Sequence, residues 1–238
     1  MSVLAPIGLE ELQARAALTT RVDRKYVLAE DALPGLLERL PAGTGVLQIG
    51  GRQRFGYHSV YLDTPRLDAY LGAAHRRRRR FKVRVRTYLD SGDRFTEVKT
   101  PGPRGVTVKH RTRYAGGDEI GRFVAATIGR GVVLTPALST WYERVTLFLP
   151  ASASRVTIDT GLTFALPGGE PLTLPGRSIV ETKTAHGAGA VDRLLWRLGH
   201  RPCAMSKYGT GLAALRPDLP ANRWLPVLRR HFADQESR

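Results

Sequence analysis

The strands this chain can form carry their charges on one face. From Phe81 onward apolar and charged residues alternate with a period near two, the spacing that puts every second side chain on the same side of a β-strand. Lys82, Arg84 and Arg86 share a face, with Phe81, Val83 and Val85 opposite. Glu97 and Lys99 alternate with Thr96 and Val98, and Lys109 and Arg111 with Val106 and Val108. Arg155 and Asp159 oppose Val156 and Ile158, Glu181 and Lys183 oppose Val180, and Arg144 opposes Val145. Upstream, Asp23 and Lys25 share a face. One reading is an open sheet with one solvated face. The other is a sheet closed on itself with the charges inside. Ordinary wet faces mix Thr, Ser, Gln and Lys, whereas these are Arg-rich, with an acid only at intervals. Cations gathered inside a closed sheet repel one another unless an anion is bound.

The same alternation predicts strands over residues 19–29, 55–62, 81–89, 94–100, 105–114, 138–149, 154–159 and 177–184. Helices are expected over 9–17, 31–40 with Pro34 in the first turn, 119–128, 190–198, 206–215 and 223–232, with one or two helical turns at 65–71. Residues 43–51 are glycine-rich, and Gly102-Pro103 and Gly168-Gly169 supply turns. About eight strands, mostly sequence neighbours, imply an α+β chain: an antiparallel sheet or barrel with helices packed outside. The 238 residues, 42% hydrophobic, suffice for one core, with no repeat or low-complexity break. A single domain is expected, its core over roughly 19–216 and a C-terminal extension over 217–238.

Charge narrows the partner. Thirty-seven Lys and Arg against 21 Asp and Glu leave a net +16, which calls for nucleic acid, an acidic membrane surface or phosphate-rich small molecules. Trp141, Trp196 and Trp224 do not interleave with the basic residues, which argues against a single-strand nucleic-acid platform, and no specific nucleic acid is expected. The run Arg76–Arg80 reads as a solvated loop that could also guide a polyanion; only Arg80 falls in the Arg-x-Lys-x-Arg-x-Arg frame of the following strand. The lone Cys203 forms no intrachain disulfide, the first residues do not read as a signal peptide, and no 18 apolar residues run together. A cytoplasmic protein without a transmembrane segment is expected. There is no phosphate loop or dinucleotide fingerprint, no Ser-His-Asp or Cys-His set, and no metal spacing among the six histidines.

Eight stretches occur in the order of a known family: Asp23-Arg24-Lys25-Tyr26, Tyr61-Leu62-Asp63-Thr64, Arg80 to Arg86, Glu97-Val98-Lys99-Thr100, Tyr142-Glu143-Arg144, Arg155 to Thr160, Val180-Glu181-Thr182-Lys183 and Ser206-Lys207-Tyr208. Over residues 20–215 the chain resembles the VTC domain, the polyphosphate polymerase domain of vacuolar transporter chaperones, within the triphosphate tunnel metalloenzyme (CYTH-like) superfamily. The resemblance implies an eight-stranded antiparallel tunnel gripping a triphosphate or polyphosphate. It implies that Lys25, Arg84, Arg86, Lys99, Arg144, Arg155 and Lys207 bind phosphate, that Glu181 holds Mn²⁺ or Mg²⁺ with Lys183 beside it, and that Ser206 and Tyr208 add hydroxyl donors. Arg80, Lys82, Lys109 and Arg111 join the substrate contacts, and Glu97 is a second candidate metal ligand. Glu97 and Asp159 could equally pair with neighbouring cations. The hydrolytic members usually begin with a Glu-x-Glu-x-Lys strand, where this chain reads Arg21-Val22-Asp23-Arg24-Lys25. Fewer carboxylates leave less capacity for a second metal or an activated water.

Phosphoryl transfer asks mainly for alignment and charge neutralisation. Arginine supplies forked contacts and lysine point charges. A phosphate acceptor is already anionic and needs no general base. ATP-dependent polyphosphate synthesis is the reading these features favour. A triphosphatase, a polyphosphate-binding module without turnover, and general nucleic-acid binding are the alternatives.

Overall fold

Alternation places the principal strands where it predicts them. A computed structural model describes residues 4–16, 22–102 and 107–232. In chain order the elements are β1 (Ala5–Ile7), α1 (Leu9–Arg15), β2 (Val22–Ala29), α2 (Leu33–Glu38), β3 (Gly45–Leu47), β4 (Arg54–Asp63), α3 (Asp68–Ala74), β5 (Lys82–Tyr88), β6 (Arg94–Pro101) and β7 (Thr107–Arg113). They continue with α4 (Gly117–Ile128), β8 (Thr135–Leu149), β9 (Ser154–Ala165), β10 (Leu172–Thr173), β11 (Arg177–Thr184), α5 (Ala190–Arg197), α6 (Lys207–Leu215) and α7 (Leu225–His231). Pro34 sits in the first turn of α2, where its missing N–H costs nothing. Pro103 and Arg21 lie outside the described residues, and no described helix is long and apolar enough to cross a membrane.

The main ladder runs β2-β11-β9-β8-β4-β5-β6-β7. Eight strands are the expected number, but the ladder is open among the described residues, with β2 and β7 at its ends. The β7 strand is exposed almost throughout and presents Lys109, His110, Arg111 and Arg113, the kind of charge that protects an edge from further pairing. Two short strands went unpredicted in the glycine-rich region and at the N-terminus: β3 pairs in parallel with β1 and antiparallel with β8. Three residues are too few to show a period.

The chain divides into two compact units, each of several segments. The first comprises Met1–Phe55, Tyr142–Leu162 and Leu174–Ala204; the second comprises Gly56–Trp141, Thr163–Thr173 and Met205–Arg238. In the first, the apolar faces of β2, β9 and β11 bury Tyr26, Leu28, Val156, Ile158 and Val180 against Val191, Leu194 and Leu195 of α5. Asp192 ties this face together: it is fully buried and accepts from Tyr26 (2.7 Å), Thr182 (2.6 Å) and the Gly189 N–H (2.7 Å). Burial and the Asp192 carboxylate hold the Tyr26 hydroxyl well above the ordinary tyrosine pKa.

In the second unit, Phe81, Val83, Val85 and Val98 pack with Ile120 and Val124 of α4. Burying each such side chain contributes about 1.5–3 kcal/mol. Helix α3 starts at Asp68 rather than near Pro65 because of Asp63. That fully buried carboxylate accepts from the N–H groups of Thr64 (2.7 Å), Ala69 (2.8 Å) and Tyr70 (2.8 Å), and Leu67 turns through φ 56° to deliver them. Helix α6 presses against aromatic rings through glycine. A Cβ at Gly209 would collide with the Trp224 ring and one at Gly211 with Phe164, so these are packing glycines rather than a phosphate cradle. Gly209→Ala is expected to lower stability by about 1–3 kcal/mol through overpacking, read from the urea midpoint.

Candidate functional site

In the second unit, pairing register turns the charge alternation into rows across four strands. Tyr61, Arg84, Glu97 and Arg111 are successive cross-strand partners on β4, β5, β6 and β7. A second row is Ser59, Arg86, Phe95 and Arg113, and a third is Lys82, Lys99 and Lys109. Like charges directly opposite one another are destabilising, and in the three-lysine row the Glu97 carboxylate offsets part of that repulsion at Lys109.

Glu97 is the electrostatic centre of this face. It is 1% exposed; Arg84 Nε donates to its Oε2 at 2.7 Å, and Lys109 Nζ lies 2.6 Å from its Oε1. Burial pushes its pKa up, but Arg84, Arg86 and Lys109 more than offset this and hold the carboxyl well below the usual carboxylate range. Lys109 is held below its ordinary value, because burial and the guanidiniums of Arg84 and Arg86 outweigh Glu97. Glu97 therefore has the geometry of a buried ion pair, with both oxygens engaged by cations. Arg84 Nη1 makes a long contact with the Tyr61 hydroxyl (3.4 Å).

Other predicted residues of this unit fall differently. Ser206 caps α6, accepting from the Gly209 N–H (3.1 Å) and from Lys82 Nζ (2.9 Å), so the residue preceding Lys207 is joined to the charged face of β5. Tyr208 lies on the inner side of α6. Its side chain is buried, its hydroxyl donates to Asp63, and its ring stacks on Tyr61 with centroids 5.0 Å apart. Burial and Asp63 hold that hydroxyl far above its ordinary pKa, so it stays protonated and donates to Asp63. Arg80 also departs from its frame: it precedes β5 in a turn and donates to the Arg77 carbonyl (3.2 Å).

The sequence reading missed the contribution of β4. Ser59 accepts from Arg86 Nε at 3.5 Å, and the Arg86 guanidinium lies 5.2 Å from the Tyr57 ring centroid. Tyr57, Ser59 and Tyr61 alternate with His58 and Val60, so the signal was present as hydroxyls rather than charges.

In the first unit, β2, β11 and β9 place Asp23, Lys183 and Arg155 in one row and Lys25, Glu181 and Thr157 in the next. Glu181 stands between Lys25 Nζ (3.5 Å from Oε1) and Lys183 Nζ (3.5 Å from Oε2). Arg144 grips Asp159 with a two-pronged contact, Nε to Oδ1 at 2.6 Å and Nη2 to Oδ2 at 2.8 Å, so Asp159 is a paired acid. Arg155 donates to the Ala16 carbonyl (3.3 Å).

Among the described residues no three His, Cys, Asp or Glu side chains gather into a metal cage. Glu181 has longer lysine contacts (3.5 Å) than Glu97 (2.6 Å). Mg²⁺ is commonly held by one or two carboxylates together with substrate phosphates and water. The residues present fit a divalent ion that arrives on phosphate oxygens and takes Glu181 as its protein ligand.

The chain is similar to several solved structures. A candidate adenylyl cyclase from Hippeastrum, described as having a dominant triphosphatase activity, is 16% identical with a TM-score of 0.49, over 86% of this chain and 100% of that one. A protein from Pyrococcus horikoshii is 12% identical with a TM-score of 0.44, over 76% and 92% of the two chains. A candidate adenylate cyclase from Vibrio parahaemolyticus is 14% identical with a TM-score of 0.42, over 76% and 84%. No curated protein matches the chain. The profile of the VTC domain matches residues 20–130 and 125–216, most of the sequence. The chain belongs to the VTC domain family.

Proposed function

We propose that this protein binds triphosphate and polyphosphate on its charged strand faces and transfers the terminal phosphoryl group of ATP to a growing polyphosphate chain. The observation that carries the reading is the Lys82, Lys99 and Lys109 row beside the Arg84–Glu97 pair. Glu97 holds both Arg84 and Lys109 in place, and the row it touches is otherwise lysine. Membership of the VTC domain family supports a triphosphate-related function. The eight-stranded tunnel that the resemblance implies is the proposed setting.

In the proposed step a terminal chain oxygen attacks the γ-phosphorus, the bond from that phosphorus to the bridging oxygen breaks, and ADP leaves with the electron pair. No proton needs to move, because the attacking oxygen is already anionic. In the second unit Arg84 and Arg86 grip phosphate oxygens while Lys99 and Lys207 neutralise their charge, and in the first unit Lys25 and Lys183 are phosphate contacts. Arg144 and Arg155 extend the cationic faces, as do Lys82, Lys109 and Arg111. A divalent ion, Mn²⁺ or Mg²⁺, would be held through Glu181 and would supply Lewis-acid stabilisation of the leaving phosphate.

Binding is tested by calorimetric titration with tripolyphosphate. Arg84→Ala is expected to weaken affinity by about 1.5–3 kcal/mol, the worth of hydrogen bonds to a charged group. An unchanged affinity in a variant that still melts cooperatively would place Arg84 outside the binding face.

A further inference from the structure

The charged face of the second unit ends in aromatic rings. Beyond the Arg86 row, Tyr57 and Tyr88 are cross-strand partners with ring centroids 5.1 Å apart. Phe95 meets Tyr88 edge-on, with centroids at 5.9 Å. Arg111 leans toward this end. Its cross-strand partner is Glu97, whose oxygens Arg84 and Lys109 already engage. The Arg111 guanidinium lies instead 3.5 Å from the Phe95 ring centroid and 5.6 Å from that of Tyr88, and its Nη2 donates to the Tyr88 hydroxyl at 3.3 Å. The Arg113 guanidinium stands 5.9 Å from the same Phe95 ring.

Rings contribute little to gripping phosphate, which takes point charges and forked donors. What they offer is a flat apolar surface beside a cationic one. Phe95 and Tyr88 are partly exposed and Arg111 is exposed, so this platform is open to a ligand. A guanidinium held flat by a ring and a hydroxyl is itself a stacking surface, and nucleobases stack on aromatic rings and arginine planes alike. The cation–π contact alone would account for the position of Arg111. It does not account for three rings gathered on the face that carries the lysine row. The spacing also suits a ligand with a ring at one end and phosphates at the other. Lys99 lies four residues along β6 from Phe95, about 13 Å at the usual rise of a strand, with Lys82 and Lys109 as its cross-strand partners. A nucleoside triphosphate covers such a span from base to terminal phosphate.

We propose that Phe95, Tyr88 and Arg111 seat the base of the nucleoside triphosphate, with its phosphates running toward the Lys82, Lys99 and Lys109 row. The inference rests on the phosphate-binding reading of this face and adds the nucleoside end to it. The rings and the cations are separate side chains, so the seat can fail while the phosphate reading stands.

The test is calorimetric titration of the full chain with the β,γ-imido analogue of ATP and, separately, with tripolyphosphate, each with Mn²⁺. Phe95→Leu keeps an apolar side chain and removes the ring. It is expected to weaken binding of the ATP analogue about tenfold, the loss of one stacking surface, and to leave tripolyphosphate affinity within about twofold. Phe95→Tyr, which restores a ring, is expected to return the analogue to within a few-fold of wild type. Thermal melting reports folding, and if Phe95→Leu melts early, Tyr88→Leu carries the same comparison. Unchanged affinity for the analogue in a folded variant that lacks the ring overturns the seat; tripolyphosphate still bound then leaves the phosphate reading standing. Equal losses for both ligands also overturn it, because the ring then acts through the phosphate contacts. Analogue binding that needs the ring, with no binding of tripolyphosphate, upholds the seat and removes the phosphate reading. A protein that binds neither ligand refutes both.

Discussion

Glu97→Ala is expected to destabilise the protein by about 3–5 kcal/mol, the usual cost of removing one partner from a buried ion pair. The loss comes less from the absent attraction than from what remains. Arg84 and Lys109 would keep their charges beside Arg86 with no acid between them. Equilibrium urea unfolding checks the figure, and a change below about 1 kcal/mol would mean that solvent already screens the pair. The pH dependence follows from the same environment. The folded carboxyl is held well below its ordinary value of 4.5, so the unfolded chain binds its proton first as pH falls. The stabilisation is therefore complete above about pH 4.5 and drains away below it, toward the depressed folded value. Glu97→Gln should flatten this part of the stability profile, and an unaltered acid limb would contradict the assignment.

Glu181→Gln is expected to behave in the opposite way, with a small effect on folding and a large one on turnover. Glu181 shares the strand alternation of Glu97, but its lysine contacts are 3.5 Å long, whereas those of Glu97 reach 2.6 Å. Lysine contacts of that length can be exchanged when phosphate and a divalent ion arrive. Removing it should cost metal-dependent turnover about a hundredfold or more, since Lewis-acid stabilisation is worth several kcal/mol. Polyphosphate affinity should stay within a few-fold, because deleting a negative charge does not weaken anion capture. Equal initial rates in wild type and variant would remove Glu181 from the metal-holding role.

The contrast between these two glutamates shows where sequence reading stops. Alternation sufficed to put Glu97, Glu181 and the basic residues on particular strand faces, and β5, β6 and β11 lie within a residue or two of their predicted bounds. It carried no information about cross-strand register, which decides that Arg84 meets Glu97 while Lys82 meets Lys99. The partner of Tyr208 was hidden for a related reason. Its neighbours Ser206 and Lys207 are polar, yet the first turn of α6 rotates its ring inward to Asp63, 145 residues away in sequence. Asp63 itself looked like one letter of a motif, and its work is to fix the start of α3 through three backbone N–H groups. The β9 strand runs past its predicted end because Gly161, at φ 61°, interrupts the alternation without ending the strand.

Phosphoryl transfer between phosphates is tested directly by one assay: purified protein incubated with ATP and Mn²⁺, with gel analysis for polyphosphate and parallel measurement of ADP and free phosphate. Polyphosphate chains accumulating together with ADP, and absent with Glu181→Gln, are the predicted result. Free phosphate released without chains would contradict it in favour of hydrolysis, and the absence of both products would contradict turnover itself.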